Sequence, residues 1–194
     1  MELSEQQKKG IGVALNEATL SGAELDTDRR IAGLTFSVLT LPKEGQSQED
    51  SRIQIILKPV SRVAASLRTG IRNNPSEVQP LKIEQLLEAI GTFKSPIYGW
   101  DFIDVEKKEF SIWKNKLSLD WRSGIEGNKH TLSLFQEAPN RVLDLCFWFD
   151  SMDIFTAQGT RIELDDFIDG GQRWWDGLHS GDLGTVGSGI TPLK

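Results

Sequence analysis

Arg52-Ile53-Gln54-Ile55-Ile56-Leu57-Lys58-Pro59-Val60-Ser61-Arg62-Val63-Ala64-Ala65-Ser66-Leu67-Arg68 is the segment on which the fold class turns. Ile53, Ile55 and Leu57 recur at period two, which places them on one face of an extended chain. Beyond Pro59, Val63, Ala65 and Leu67 share one face while Arg62, Ser66 and Arg68 share the other. Proline cannot donate to a ladder, so Pro59 is expected to divide the segment into a strand at 52–58 and a second strand or edge segment at 60–68.

On the N-terminal side, 19–26 reads as a strand, and 30–41 as another in which Leu34, Phe36 and Val38 keep period two. Residues 42–51 are polar, contain Gly45 and read as an exposed loop. Residues 69–80, with Gly70, Asn73-Asn74-Pro75 and Pro80, form a turn-rich connection. A helix follows at 81–90, its apolar stripe Leu86, Leu87 and Ile90, with Gly91 as the expected stop. Ahead of the strands, residues 4–18 fit a short amphipathic helix, weakened at Gly10 and Gly12 by about 1 kcal/mol each relative to alanine.

The second half runs in a similar order. Strands are expected at 98–105 and 110–121, then a turn through Gly124 and Gly127. Further strands fall at 131–135 and 142–149, separated by Ala138-Pro139-Asn140, with a short strand at 152–157. A helix at 164–178 puts Leu164, Phe167, Ile168, Gly171, Trp175 and Leu178 on one face. The chain thus reads as an α+β protein of predominantly antiparallel meanders, each followed by a helix. Local correspondences such as Thr35-Phe36-Ser37-Val38 with Thr131-Leu132-Ser133-Leu134 suggest a tandem duplication. The units would be an arm or helix at 1–18, one repeat at 19–93, a second at 94–179 and a flexible glycine-rich tail at 180–194, the repeats packing as one domain or two.

The composition suits a globular chain of 194 residues, with nine Phe, six Trp and one Tyr as core material and one cysteine, Cys146. A lone cysteine within Val142-Leu143-Asp144-Leu145-Cys146-Phe147-Trp148-Phe149 reads as a small packed hydrophobe and not as part of a disulfide framework. The N-terminus lacks the apolar core of a secretory signal, and no window approaches a membrane span. A cytoplasmic location is therefore expected, with no membrane association. The net charge of −6 is unevenly placed: residues 1–97 hold 12 basic and 12 acidic side chains, and 98–194 hold 10 and 16. Residues 141–182 carry nine acids against Arg141, Arg161 and Arg173. Arg52, Lys58, Arg62, Arg68 and Arg72 form the opposite pole.

Candidate chemistry is sparse. His130, beside Lys129, is expected at a surface or strand edge. Asp176, His179 and Asp182 recur at three-residue spacing near Asp165, Asp166 and Asp169, a weak metal set that fits no established ligand motif. Cys146 has no basic neighbour to lower its pKa, and no serine stands in a nucleophile elbow. The glycines at 181, 184, 187 and 189 lack the strand, helix and lysine of a phosphate loop. Asp144, Asp150 and Asp153 offer paired carboxylates along one β-region, which sugar chemistry would need. The basic face of Arg62 and Arg68 could meet a phosphate-rich ligand or an acidic partner, or pair with the acidic segment inside the molecule. A pI near 5.0 and the absence of interleaved aromatics disfavour nucleic acid. Trp174 and Trp175 diverge by about 100° on a helix, which leaves one of them incompletely buried.

No catalytic constellation emerges and no cofactor is implied. The leading expectation is a non-enzymatic binding protein, an acidic adaptor or antagonist of a basic protein, with Asp165, Asp166, Asp169, Trp174, Trp175, Asp176, Arg62 and Arg68 as contact residues. The alternatives are a metal- or phosphate-dependent hydrolase using the acidic cluster with His179, and a structural homo-oligomer whose edge strands pair between copies.

Overall fold

The computed structural model describes residues 2–44, 51–69, 78–93, 95–105, 117–120 and 128–181. Arg72, Asp182, the turn at Gly124 and Gly127 and the glycine-rich tail beyond Gly181 lie outside these residues. So do most of the two expected loops and the start of the 110–121 strand.

The described elements run α1 (Glu5–Leu15), β1 (Thr19–Asp26), β2 (Ile31–Ser37), β3 (Arg52–Thr69), β4 (Val78–Pro80), α2 (Ile83–Phe93), β5 (Leu117–Asp120), β6 (His130–Ala138), β7 (Arg141–Thr156), β8 (Arg161–Ile162) and α3 (Leu164–Ser180). The fold is α+β. The eight described strands form one antiparallel sheet in the order β1-β2-β3-β7-β6, with β4 and β5 on β3 and β8 on β7.

Strand β3 is continuous over 18 residues. Pro59 does not divide it, and the pairing shows why. On one edge β3 follows β2 as far as Leu57↔Ala32 and meets β5 only from Arg62. Pro59 lies between these partners on that edge, β7 pairs on either side of it at Lys58↔Ser151 and Val60↔Phe149, and Val60, just beyond, donates to the Arg30 carbonyl at 2.7 Å. β7 is likewise one strand, although 142–149 and 152–157 read as two. Leu143, Leu145, Phe147 and Phe149 are buried at odd positions, then Met152 and Ile154 at even ones. The change of parity lies opposite Lys58 and Val60, next to the register irregularity between Val60 and Arg62.

Helix α2 runs to Phe93 and does not stop at Gly91, because continuing the helix buries Phe93 while Gly91 faces open space. Helix α1 forms in spite of its glycines. Ser4 caps it in a reciprocal box with Gln7, and the glycines are sites of close approach. A Cβ at Gly10 would lie 2.5 Å from Ile168, and one at Gly171 would lie 2.5 Å from the Ala14 Cα. The α1–α3 contact is therefore tight enough to exclude a methyl group at its centre. α3 ends at Gly181 in the left-handed conformation, φ 77°.

One core joins the helices to the sheet, with Ile11 and Leu15 from α1, Leu86 and Ile90 from α2 and Phe167 from α3. Ala64, Cys146 and Trp148 form a second small buried cluster. β3 and β7 pair from Ile53↔Thr156 to Thr69↔Arg141, so both halves of the chain share the sheet. The halves are not equivalent in pairing: β5 joins β3 and not β6, and a tandem duplication is not established by this topology. Residues 95–105 form a strap along the outer edge of β6. It is fixed by bridges Ile97↔Gln136 and Ile103↔Leu132, and it reaches the start of β1 through Thr19↔Pro96.

Candidate functional site

Helix α3 sorts its residues by angle. Asp165, Asp169 and Asp176 fall within about 40° of one another on the helical wheel, whereas Asp166 lies about 100° round. All four are exposed. Asp165 accepts from the Gln7 amide at 3.2 Å and Asp176 from the Gln172 amide at 2.9 Å, both neutral partners. No ion pair to these four acids is found among the described residues. Asp166 lines a separate cavity of about 200 Å³ with Phe167, Arg173 and Leu41. The structure thus groups Asp165, Asp169 and Asp176 and sets Asp166 apart.

The acids of β7 are differently placed. Asp144 takes Arg68 in a two-pronged contact, 3.0 and 3.3 Å, with the Ser66 hydroxyl at 3.4 Å. Asp153 pairs with Lys58 and with Arg161, and Asp150 accepts the backbone N–H groups of Asn128 and Lys129. The early basic segment and part of the late acidic one therefore meet across the β3–β7 ladder. Arg62 is only 5% exposed, opposite Trp148, so the expected basic face is largely turned inward or neutralised.

Trp174 is buried, and Trp175 is half-buried with its ring edge-on to Trp174 at 5.0 Å. The Trp175 indole N–H donates to the Val13 carbonyl at 3.1 Å, pinning α3 to the end of α1. Its ring also meets Trp100 of the strap, centroids 5.5 Å apart and tilted by 54°. His179 packs beside Trp175 and bonds the Trp175 carbonyl through Nδ1 at 2.7 Å. Of the metal candidates, Asp176 and His179 are exposed on α3. No group of three or more His, Cys, Asp or Glu side chains suited to an ion occurs among the described residues.

A second cluster has no counterpart in the sequence pattern. His130, expected at a surface or strand edge, lies on the outermost strand β6 but is buried. Its Nδ1 lies 3.0 Å from Asp104 Oδ2, the two side chains being 6% and 8% exposed. Asp104 Oδ1 accepts the Thr131 N–H at 2.9 Å, and Lys8 Nζ of α1 lies 3.1 Å from Oδ2. Lys8 also binds Glu5 at 2.7 Å. Hydrogen bonds to Glu5 and then Asp104 hold the Lys8 ammonium above the ordinary lysine range, and the Lys8 contact lowers the Glu5 carboxyl. The cluster ties α1, the strap and β6 together. Asp104 and His130 are 26 residues apart in the chain, and the one local sign is a φ of 61° at Asp104.

No helix among the described residues is long and apolar enough to cross a membrane. No protein-family model, curated protein or solved structure matches this chain.

Proposed function

We propose that the chain is a non-enzymatic cytoplasmic binding protein that docks a positively charged protein partner through the outer face of α3. The observation that supports this reading is the contrast within the acidic late segment. The carboxylates of β7 are used up by Arg68, Lys58, Arg161 and backbone N–H groups, while Asp165, Asp169 and Asp176 stand exposed in one row, Asp165 and Asp176 accepting from neutral amides.

Asp165 and Asp166 have a local reason to be there, since a carboxylate in the first turn of a helix is favoured by the helix dipole. Asp176 lacks that reason: it stands about one turn from the C-terminus, where a negative charge is disfavoured by about 0.3–1 kcal/mol, a cost that its i, i+4 bond from Gln172 offsets only in part, and Asp165 and Asp169 repel each other at i, i+4 spacing. A row of acids kept at a small local cost suits the capture of a cationic surface, which long-range attraction accelerates and orients.

The test compares the wild-type protein with D165N/D169N/D176N as baits at low and high salt. A partner held by the wild type at low salt, released at high salt and absent from the triple variant is the expected result. Equal retention by both baits overturns the reading.

A further inference from the structure

Beside the acidic face of α3 stands an apolar side chain that its sequence context does not single out, and its proposed role rests on that face being a docking surface. Trp100 is 56% exposed, the highest value among the exposed large apolar side chains of the described residues. Its exposure is built in. The Trp100 carbonyl lies against α1 at Gly12, where a Cβ would come within 1.9 Å of that oxygen. On either side the strap is held to β6 by Tyr98 N–H to the Phe135 carbonyl and by Ser133 N–H to the Phe102 carbonyl. Behind the Trp100 indole stands Trp175, itself fixed by Trp174 and by the Val13 carbonyl. A solvent-facing indole on a rigid base loses little conformational freedom on binding, and tryptophan is enriched among the residues that dominate interfaces.

The charges around it select the occupant. Asp101 follows Trp100 in the strap and Asp176 follows Trp175 in α3, and both are exposed. An exposed indole with carboxylates on the adjoining residues of its strap and of its backing helix fits a planar cation that can stack and donate several N–H groups at once. Guanidinium does both, whereas ammonium is a compact, strongly hydrated point charge. We infer that Trp100 anchors the docking face, and that an arginine of the basic partner stacks on its indole while the neighbouring carboxylates take its N–H groups.

The experiment titrates an arginine–glycine repeat peptide, and its lysine counterpart, into the full chain at low salt. The readouts are tryptophan fluorescence and the Trp100 indole N–H resonance, assigned by its loss in W100A. The arginine peptide should bind the wild type more tightly than the lysine peptide, weaken about three- to tenfold in W100A, and weaken less in W100F, which keeps an aromatic face and guards against a folding defect. Binding unchanged in W100A, or no arginine-peptide binding to the wild type, overturns the inference. D165N/D169N/D176N separates the two proposals: loss there with W100A unaffected leaves the acidic face standing and removes the anchor, and loss in W100A alone does the reverse.

Discussion

Glycine carries opposite meanings at different positions of this chain, and one substitution can show it. Both Gly171 and Gly91 lie inside helices. At Gly171 a methyl group would meet Ala14 Cα at 2.5 Å, a backbone atom that cannot yield without parting α1 from α3. Overpacking of that kind costs about 1–3 kcal/mol. At Gly91 nothing stands within 4 Å, so alanine removes only unfolded-chain entropy and should stabilise by about 0.5–1 kcal/mol. Denaturant melts of G171A and G91A should therefore move to opposite sides of the wild type, and a G171A midpoint at or above the wild-type value would contradict the close contact. In the sequence Gly10 and Gly12 read only as a cost to helix propensity, Gly91 as a helix stop and Gly171 as part of an apolar face. The compensating contact was not legible, because Gly10 and Gly171 acquire their meaning from each other's helix. The same holds for Trp174 and Trp175: their divergence follows from helical geometry alone, but the ring that meets Trp175 comes from Trp100 in the strap.

Among the elements, the strap is held by its ends, and Asp104 is the main polar fastening at one of them. Removing its charge while keeping its shape isolates that role. In Asp104→Asn the new side chain would still accept the Thr131 N–H and tolerates a positive φ, but it would lose the charged contact with Lys8 and His130. A loss of about 2 kcal/mol is expected for charge-assisted bonds at this depth, or a fall in Tm of about 4–8 °C for a chain of this size. The lysine side fixes the pH at which to measure it. A raised folded-state value means that the Lys8 contribution is fully present below the ordinary lysine range and is lost only as the pH rises through the raised one. A melt of Asp104→Asn at neutral pH therefore reads the full Lys8 contribution, and a Tm within about 1 °C of wild type would show that the Asp104 charge adds nothing. Strands β1 and β2 were readable because their pairing neighbours are also their sequence neighbours. The continuity of β3 and β7 was not, since Pro59 and the parity change at 149–152 look like breaks until the pairing of the two strands with each other is known. The Asp104–His130–Lys8 cluster was invisible for the same reason, its three members coming from three elements.

Across the chain, the decisive feature is that the two longest strands, one from each half of the sequence, pair with each other. Had each meander closed on its own helix, the halves would hold separate cores and could melt apart. Instead β3 and β7 share a ladder from Ile53↔Thr156 to Thr69↔Arg141, and the main core draws Leu34 and Phe36 from the first half together with Phe147 and Phe149 from the second. Unfolding either half exposes apolar surface that the other had covered, at about 25 cal/mol per Å², and strips one edge of the partner's central strand of its hydrogen bonds. Neither half gains enough alone to offset the entropy of ordering it. Unfolding should accordingly be a single transition. Far-UV circular dichroism reports the sheet and helices, and tryptophan fluorescence is weighted toward the second half, which holds all six tryptophans. The two signals should share one midpoint in urea within error, with an m-value near that expected for the surface exposed by the whole chain. A fluorescence transition separated from the circular-dichroism one would mean that the β3–β7 ladder does not couple the halves. The docking face would then sit on a second half able to open without the first.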